Sequence, residues 1–390
     1  MENDSSTALS AARSWLEIDL PAVKENLRRL RAHCAACGNS VLVMPAVKAN
    51  AYNHGAVAVA RAAVEAGCER LAIATVAEGE ELRRAGIGVP LQLLGAVLPD
   101  EIPAAVACDL IFSVHEVASA ERLNAEATRQ RKRGTVHLKI DSGMGRLGVL
   151  PDAAVATAVA ISRLPALFLE GAFMHFAVAA AAEYSRRQIV IFDETLATIA
   201  AAGVKIPLRH AANSTAIFRY PEAHYEMIRP GAAVYGFYDD ESLREKFPLT
   251  PVLSWRCRVA QIKDYPAGVS LGYGRTAFTS RQTKKIAVLP VGYADGYARY
   301  YSNRADVLIG GRRAPVVGRV SMDYTLVDIT DLPPLTVGAV ATLIGADGTE
   351  RITLEELARH HHDMIPYCVA TAIGARVGRR VESAELRVES

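Results

Sequence analysis

From about residue 40 to residue 236 the chain alternates two textures. Short apolar, β-branched runs are followed by longer alanine-rich stretches with helical spacing of their apolar positions. The strand-like runs are VLVMPAVK (41–48), RLAIATV (70–76), LQLLGAV (91–97), DLIFSV (109–114), TVHLKI (135–140), LFLEGAFMHF (167–176), LRHAANS (208–214) and MIRPGAAVYG (227–236). Strands that read as near-continuous apolar runs, separated by helices, predict a parallel sheet covered on both faces. Eight such units in about 200 residues fit a (β/α)8 barrel. An open doubly wound sheet is the alternative, weakened because no G-x-G-x-x-G follows the first run. After about residue 245 the texture changes to short strands with frequent Gly and Pro turns, and one late helix-like stretch, TLEELARHHHDM. The predicted fold class is therefore α/β. An N-terminal TIM-like barrel covers 12–245, and a C-terminal mostly-β domain covers 246–385. Residues 1–11 are left either disordered or packed on the β domain.

The length of 390 residues agrees with two domains. Forty-four basic against 42 acidic residues give a formal charge of +2, which supports neither nucleic-acid nor membrane partners. No run reaches the roughly 18 apolar residues of a membrane span, and the N-terminus lacks the pattern of a secretory signal, so a cytoplasmic location is expected. Six scattered cysteines then read as free thiols. The C-x-x-C of Cys34 and Cys37 has no second pair, and the histidine run 360–362 ends a helix; neither is expected to hold a metal.

Catalytic groups of such a barrel sit at the C-terminal ends of its strands. The first strand delivers Lys48, then Tyr52 and His54. The fifth delivers Lys139 and then Arg146, and the sixth delivers His175. The seventh brings Asn213, Ser214 and Thr215, and the eighth brings Arg229 and Gly231. Singly, each has a simpler reading: a solvated strand end, a satisfied core histidine, a buried ion-pair partner. Together they offer an amine, a stacking ring, two arginines and a small-residue cradle on one face. A Schiff-base cofactor needs a lysine amine, an anchor for its phosphate and a partner for its pyridine nitrogen, and pyridoxal 5'-phosphate (PLP) requires all three.

Nine stretches sharpen the reading: AVKANAYNHG, LKIDSGMGRLG, MHFA, HAANS, IRPGAAVYG, LGYGRTAF, LPVGYADGY, GRVSMD and IPYCV. In this order, over roughly residues 14 to 380, they resemble the successive motifs of bacterial alanine racemases. The resemblance implies a PLP-bearing barrel, a β domain and a homodimer in which each active site is completed by the partner chain. It implies that Lys48 carries PLP as a Schiff base, and that Tyr52, Ser214, Gly231 and Tyr367 bind its phosphate. His175 would stack on the ring, Arg229 would face the ring nitrogen, and Arg146 the phenolic oxygen. Lys139 matches a lysine that is often carbamylated. Tyr273, supplied across the dimer, matches the second catalytic base. Arg146, Tyr293, Met322 and Asp323 match residues near the substrate carboxylate. The implied activity is interconversion of L- and D-alanine by two bases, Lys48 and Tyr273, supplying D-alanine for peptidoglycan. The alternatives are another or broader amino-acid racemase of this fold, and a non-catalytic PLP-binding protein, which would resemble the barrel alone.

Three positions depart from the motifs. Asn53 replaces a usual glycine and is expected to keep a positive φ. The stretch after MHFA lacks a usual aspartate, and Tyr324 replaces a usual glutamine. Lys48, Tyr273 and Arg229 are intact, so these changes bear on substrate breadth.

Overall fold

A computed structural model describes residues 12–279 and 282–382. The chain forms two compact units, one of Val23–Thr250 and one that joins the described residues up to Ala22 to those from Pro251 onward.

The first strand, β1 (Ser14–Asp19), lies in the second of these units. The following eight strands match the eight apolar runs: β2 (Leu42–Val43), β3 (Leu71–Ile73), β4 (Leu91–Leu93), β5 (Leu110–Val114), β6 (Gly134–Lys139), β7 (Leu167–Phe173), β8 (Leu208–His210) and β9 (Met227–Ile228). β3 to β8 form one parallel sheet in sequence order, and β2 pairs with β9. Two short bridges link these sets into a ring. Val47 N–H donates to Ala72 O at 2.9 Å, and Arg229 N–H donates to Ala212 O at 2.8 Å. All five residues of β5 are buried, as a strand covered by side chains within the ring and helices outside requires.

The β unit begins with β10 (Leu253–Arg258), whose burial alternates residue by residue, the mark of a sheet with one wet face. Then follow β11 (Gln261–Tyr265), β12 (Ser270–Leu271), β13 (Ala277–Phe278), β14 (Lys284–Leu289), β15 (Asp306–Ile309), β16 (Arg312–Pro315), β17 (Thr325–Asp328), β18 (Val340–Asp347), β19 (Glu350–Ile352) and β20 (Gly378–Glu382). The main sheet runs β16-β15-β18-β10-β1-β20, with β19 on β18.

This order corrects the expected barrel boundary at residue 12. Ser14–Ile18 pairs antiparallel with β10, and Trp15–Asp19 pairs parallel with β20, so residues 12–22 belong with the β unit. The physical reason is burial of Trp15, Leu16 and Ile18, each 3% exposed or less, in that sheet. The expectations for residues 1–11 and 383–385 lie outside the described residues. Among the described residues no helix is long and apolar enough to cross a membrane.

Candidate active site

Lys48 follows the end of β2, and the backbone then turns the unusual way. Ala49, Asn50, Ala51, Tyr52 and Asn53 have φ of 52°, 53°, 53°, 50° and 71°, a left-handed turn without glycine. Each L-residue in that region costs about 1–2 kcal/mol, least for asparagine, so the turn needs support. Glu78 supplies part of it. It sits in the first turn of the helix Val76–Arg84, in a capping box with Thr75. Its two oxygens accept N–H bonds from Ala49 (2.7 Å) and Ala74 (2.7 Å). Asn50 Oδ1 accepts from Ala56 N–H at 2.8 Å, and the buried Tyr52 ring packs 4.9 Å from that of Tyr235. Asn53 holds the positive φ expected of it.

A cavity of about 190 Å³ is lined by Lys48, Lys139, Arg146, Phe173, His175 and Arg229, with Ala74, Leu94, Gly95 and Leu147. Four of these side chains are cations and none is a carboxylate. Asp141 shapes the arm that carries Arg146, its Oδ1 accepting N–H bonds from Gly143, Met144 and Gly145 at 2.8–3.1 Å. Burial and the neighbouring cations act in one direction on the basic groups. Lys48 is lowered by burial and then by Arg146. Lys139 falls to about 8 through burial, Arg146 and Arg229. His175 falls to about 3 through burial and then Arg229, so its imidazole is neutral. Arg229 is lowered by burial to about 9 and stays cationic at neutral pH. An enclosed set of like charges calls for an anion.

A second group of the expected residues lies together in the same unit. Ser214 Oγ accepts N–H bonds from Gly231 (2.9 Å) and Ala233 (3.1 Å). A Cβ on Gly231 would lie 2.9 Å from the Tyr52 hydroxyl, so only glycine lets the tyrosine approach. Asn213 caps the helix Ser214–Arg219, its Oδ1 accepting from Ala216 N–H at 3.0 Å. A half-buried amine, an anion-seeking cavity and a glycine-walled hydroxyl cluster have the chemistry PLP needs: Lys48 could hold its aldehyde, and Tyr52, Ser214 and Gly231 could receive its phosphate.

Behind the cavity lies a buried polar chain that the sequence reading passed over. Arg229 Nη1 donates to His210 Nδ1 at 2.8 Å, and the ring nitrogens His210 Nε2 and His137 Nδ1 are 2.7 Å apart. His137 Nε2 lies 2.9 Å from Glu170, which also receives both Arg70 Nη groups at 2.6 and 2.8 Å. His137 and His210 are fully buried, and burial holds both below their ordinary range. Folded, they stay neutral where an unfolded chain would protonate. Their contribution is therefore whole above about pH 6.5 and shrinks as pH falls below it, by at most about 1.4 kcal/mol per pH unit per histidine. The melting temperature is expected to be level between about pH 7 and 8 and to drop between about pH 6.5 and 5. A level curve down to pH 5 in scanning calorimetry would contradict this.

The other expected residues lie in the β unit. Tyr273 starts the turn between β12 and β13 and is 69% exposed. Its neighbour Gly274 leaves room for the guanidinium of Arg319, which a Cβ would meet at 2.9 Å. Tyr293 N–H donates to Ser321 O and Ala294 N–H to Met322 O, both at 3.0 Å, which interlocks the turn of Tyr293 with the segment of Met322 and Asp323. The Asp323 carboxylate is held by Arg376 at 2.7 Å. Arg376 also binds Asp295 beside Tyr293. Tyr367 lies in the helix Pro366–Thr371, which ends at Ala372, and the Ala372 carbonyl abuts Gly296. Tyr324 is exposed, with the Arg13 guanidinium 5.8 Å from its ring centre.

Comparison with known proteins gives one answer along the whole chain. Residues 18–239 match the family described as alanine racemase, N-terminal domain, and residues 252–381 the alanine racemase, C-terminal domain. The alanine racemase of Symbiobacterium thermophilum is 43% identical over 368 residues, 94% of this chain and 96% of the relative. Among solved structures, the alanine racemase of Clostridium difficile 630 superposes with a TM-score of 0.90 at 31% identity, covering 96% of this chain and 97% of the other. That of Bartonella henselae, described as having covalently bound pyridoxal phosphate, superposes with a TM-score of 0.84 at 26% identity, covering 95% and 100%. The fold, the cation-lined cavity at the barrel strand ends and these full-length matches agree: the chain belongs to the alanine racemase family.

Proposed function

We propose that the protein interconverts L- and D-alanine with PLP held on Lys48, as a homodimer whose active sites each use one residue group from either chain. The observation that carries this reading is the cavity in which Lys48 lies with three further cations and no carboxylate. PLP, when bound, withdraws electrons from the substrate Cα and so makes its hydrogen acidic. The residues do the rest. Lys48, its pKa lowered by burial and then by Arg146, holds the cofactor and carries a proton on one side of Cα. Tyr273 from a second copy carries the proton on the other side; its 69% exposure, with Tyr293 and Met322 at 42% and 53%, supports this, since it leaves these side chains accessible to another copy. Arg146, Tyr293, Met322 and Asp323 are assigned to the surroundings of the substrate carboxylate, and Tyr367 to the phosphate with Tyr52, Asn213, Ser214 and Gly231. His175, neutral, stacks on the ring.

Lys139, lowered to about 8, is partly a free amine at neutral pH and can add carbon dioxide, forming a carbamate and releasing a proton. The carbamate would give Arg146 an anionic partner. Six free cysteines suit a reducing cytoplasm, where D-alanine for peptidoglycan is needed.

The decisive assay is chiral chromatography of purified, PLP-loaded protein with a panel of L-amino acids. Interconversion of alanine at the highest kcat/KM is expected. Preference for another amino acid would make it a different racemase, and no turnover of any would leave a PLP-binding protein.

Arg229 limits the chemistry to racemisation. A guanidinium only donates, so it cannot keep a facing ring nitrogen protonated as a carboxylate would. The Arg229→Glu variant is expected to racemise more slowly and to release pyruvate by half-transamination faster than the parent. A pyruvate-to-D-alanine ratio equal to the parent's would refute this role.

A further inference from the structure

The hydrogen bonds behind Arg229 can run in only one direction. Arginine has five donors and no acceptor, so His210 Nδ1, 2.8 Å from Arg229 Nη1, is the accepting nitrogen. A neutral His210 then carries its proton on Nε2 and donates it to His137 Nδ1 at 2.7 Å. His137, accepting at Nδ1, carries its own proton on Nε2 and donates it to Glu170 Oε2 at 2.9 Å. Protonating either histidine would set two N–H groups against each other within this chain. Glu170 is the acceptor that ends it. Burial would raise its pKa, but the bonds from Arg70 and His137 outweigh burial and hold the carboxylate at about 2.

The rings are held as tightly as the protons. Phe173 stacks on His210 at 4.8 Å and 7°. The His137 ring lies across Gly171, where a Cβ would come within 2.6 Å of it. Arg229 itself has its other nitrogen fixed, Nη2 donating to Met174 O (2.8 Å) and Ala211 O (3.1 Å). The order of the protons is imposed at both ends, by the donor-only guanidinium of Arg229 and by the acceptor-only carboxylate of Glu170.

We infer that Glu170, three residues before the cavity-lining Phe173 on β7, is a positioning residue that fixes the tautomers of His137 and His210 and through them the orientation of Arg229. The inference rests on the proposed function, in which Arg229 meets the cofactor ring. Arg70 donates to Glu170 through both Nη groups and so orients the carboxylate, but makes no bond to either histidine.

The test uses PLP-loaded protein labelled with ¹⁵N-histidine, whose ring ¹⁵N shifts report tautomers directly. Both His137 and His210 are expected to be neutral Nε2–H forms across about pH 6–8. Glu170→Gln keeps the shape but offers an amide in place of the carboxylate. It is expected to mix the tautomers and to lower kcat about tenfold with KM changed less than about twofold. Arg70→Met leaves the carboxylate to accept from His137 and is expected to keep the parent tautomers. A parent spectrum showing Nδ1–H on His210, or a charged ring, overturns the inference without any variant. So does a Glu170→Gln protein with parent spectrum and parent kcat, or an Arg70→Met protein that shifts the spectrum as far as Glu170→Gln, which would make the site an ion pair of structural value only. Should Glu170→Gln not fold, Glu170→Asp, which retracts the carboxylate by one methylene, is read by the same criteria. Failure of the parent to racemise alanine would instead sink the proposed function, with the histidine spectrum unaffected.

Discussion

Replacing Lys48 with alanine is expected to remove the visible absorbance of the purified holoenzyme and to reduce alanine racemisation by at least about 10³-fold, because one amine serves as covalent holder and proton carrier together. The fold should not suffer. Lys48 is one of four cations around a cavity, and its pKa is lowered by burial and Arg146, so its charge is unfavourable where it stands. A melting temperature equal to or above that of the apo parent is expected. If Lys48→Ala retains both absorbance and turnover, the cofactor lies elsewhere and the proposed chemistry falls with it.

Tyr273→Phe carries the second large effect and tests the assembly as well. Loss of a positioned acid or base costs about 10²–10⁴-fold in rate. Both directions of racemisation must slow alike, since the equilibrium between enantiomers is fixed. Exchange of the α-hydrogen with D₂O should nevertheless persist for the enantiomer served by Lys48, and outpace its inversion. Mixing is the sharper experiment. When Lys48→Ala and Tyr273→Phe chains are dissociated and reassociated together, half the dimers are hybrids, and each hybrid holds one site with both groups and one with neither. About one quarter of the parent's sites are then restored. Two inactive preparations that stay inactive on mixing would show that both groups act within one chain.

The barrel was legible because its signal is local. Seven of the eight apolar runs contain their strands and the fifth misses only the first residue of β6, Gly134, and a parallel sheet buried on both faces needs no finer pattern than that. β1 was not, since its register depends on β10 and β20, more than 230 residues away in the chain. The same division holds at the site. Lys48, Lys139, Arg146, His175 and Arg229 stand at strand ends or just past them, where the architecture alone directs attention, and they do line one cavity. His137 and His210 sit within β6 and β8, where a histidine looks like any strand residue until its partner on a nearby strand is known. Glu78 was within reach, because the T-V-A-E of Thr75–Glu78 spells a capping box. That its carboxylate also holds Ala49 is a tertiary fact. Positive φ was foreseen for Asn53 alone, and nothing in the spelling of Ala49 and Ala51 reveals that they share it.

That turn has a stereochemical consequence. The left-handed region is strained for an L-alanine because Cβ crowds the following carbonyl, and it is the relaxed region for the mirror-image residue. Ala49 and Ala51, at φ 52° and 53°, are therefore two places where D-alanine would fit the native backbone better than the residue the ribosome supplies. A protein proposed to make D-alanine holds two of its own L-alanines in the shape natural to its product.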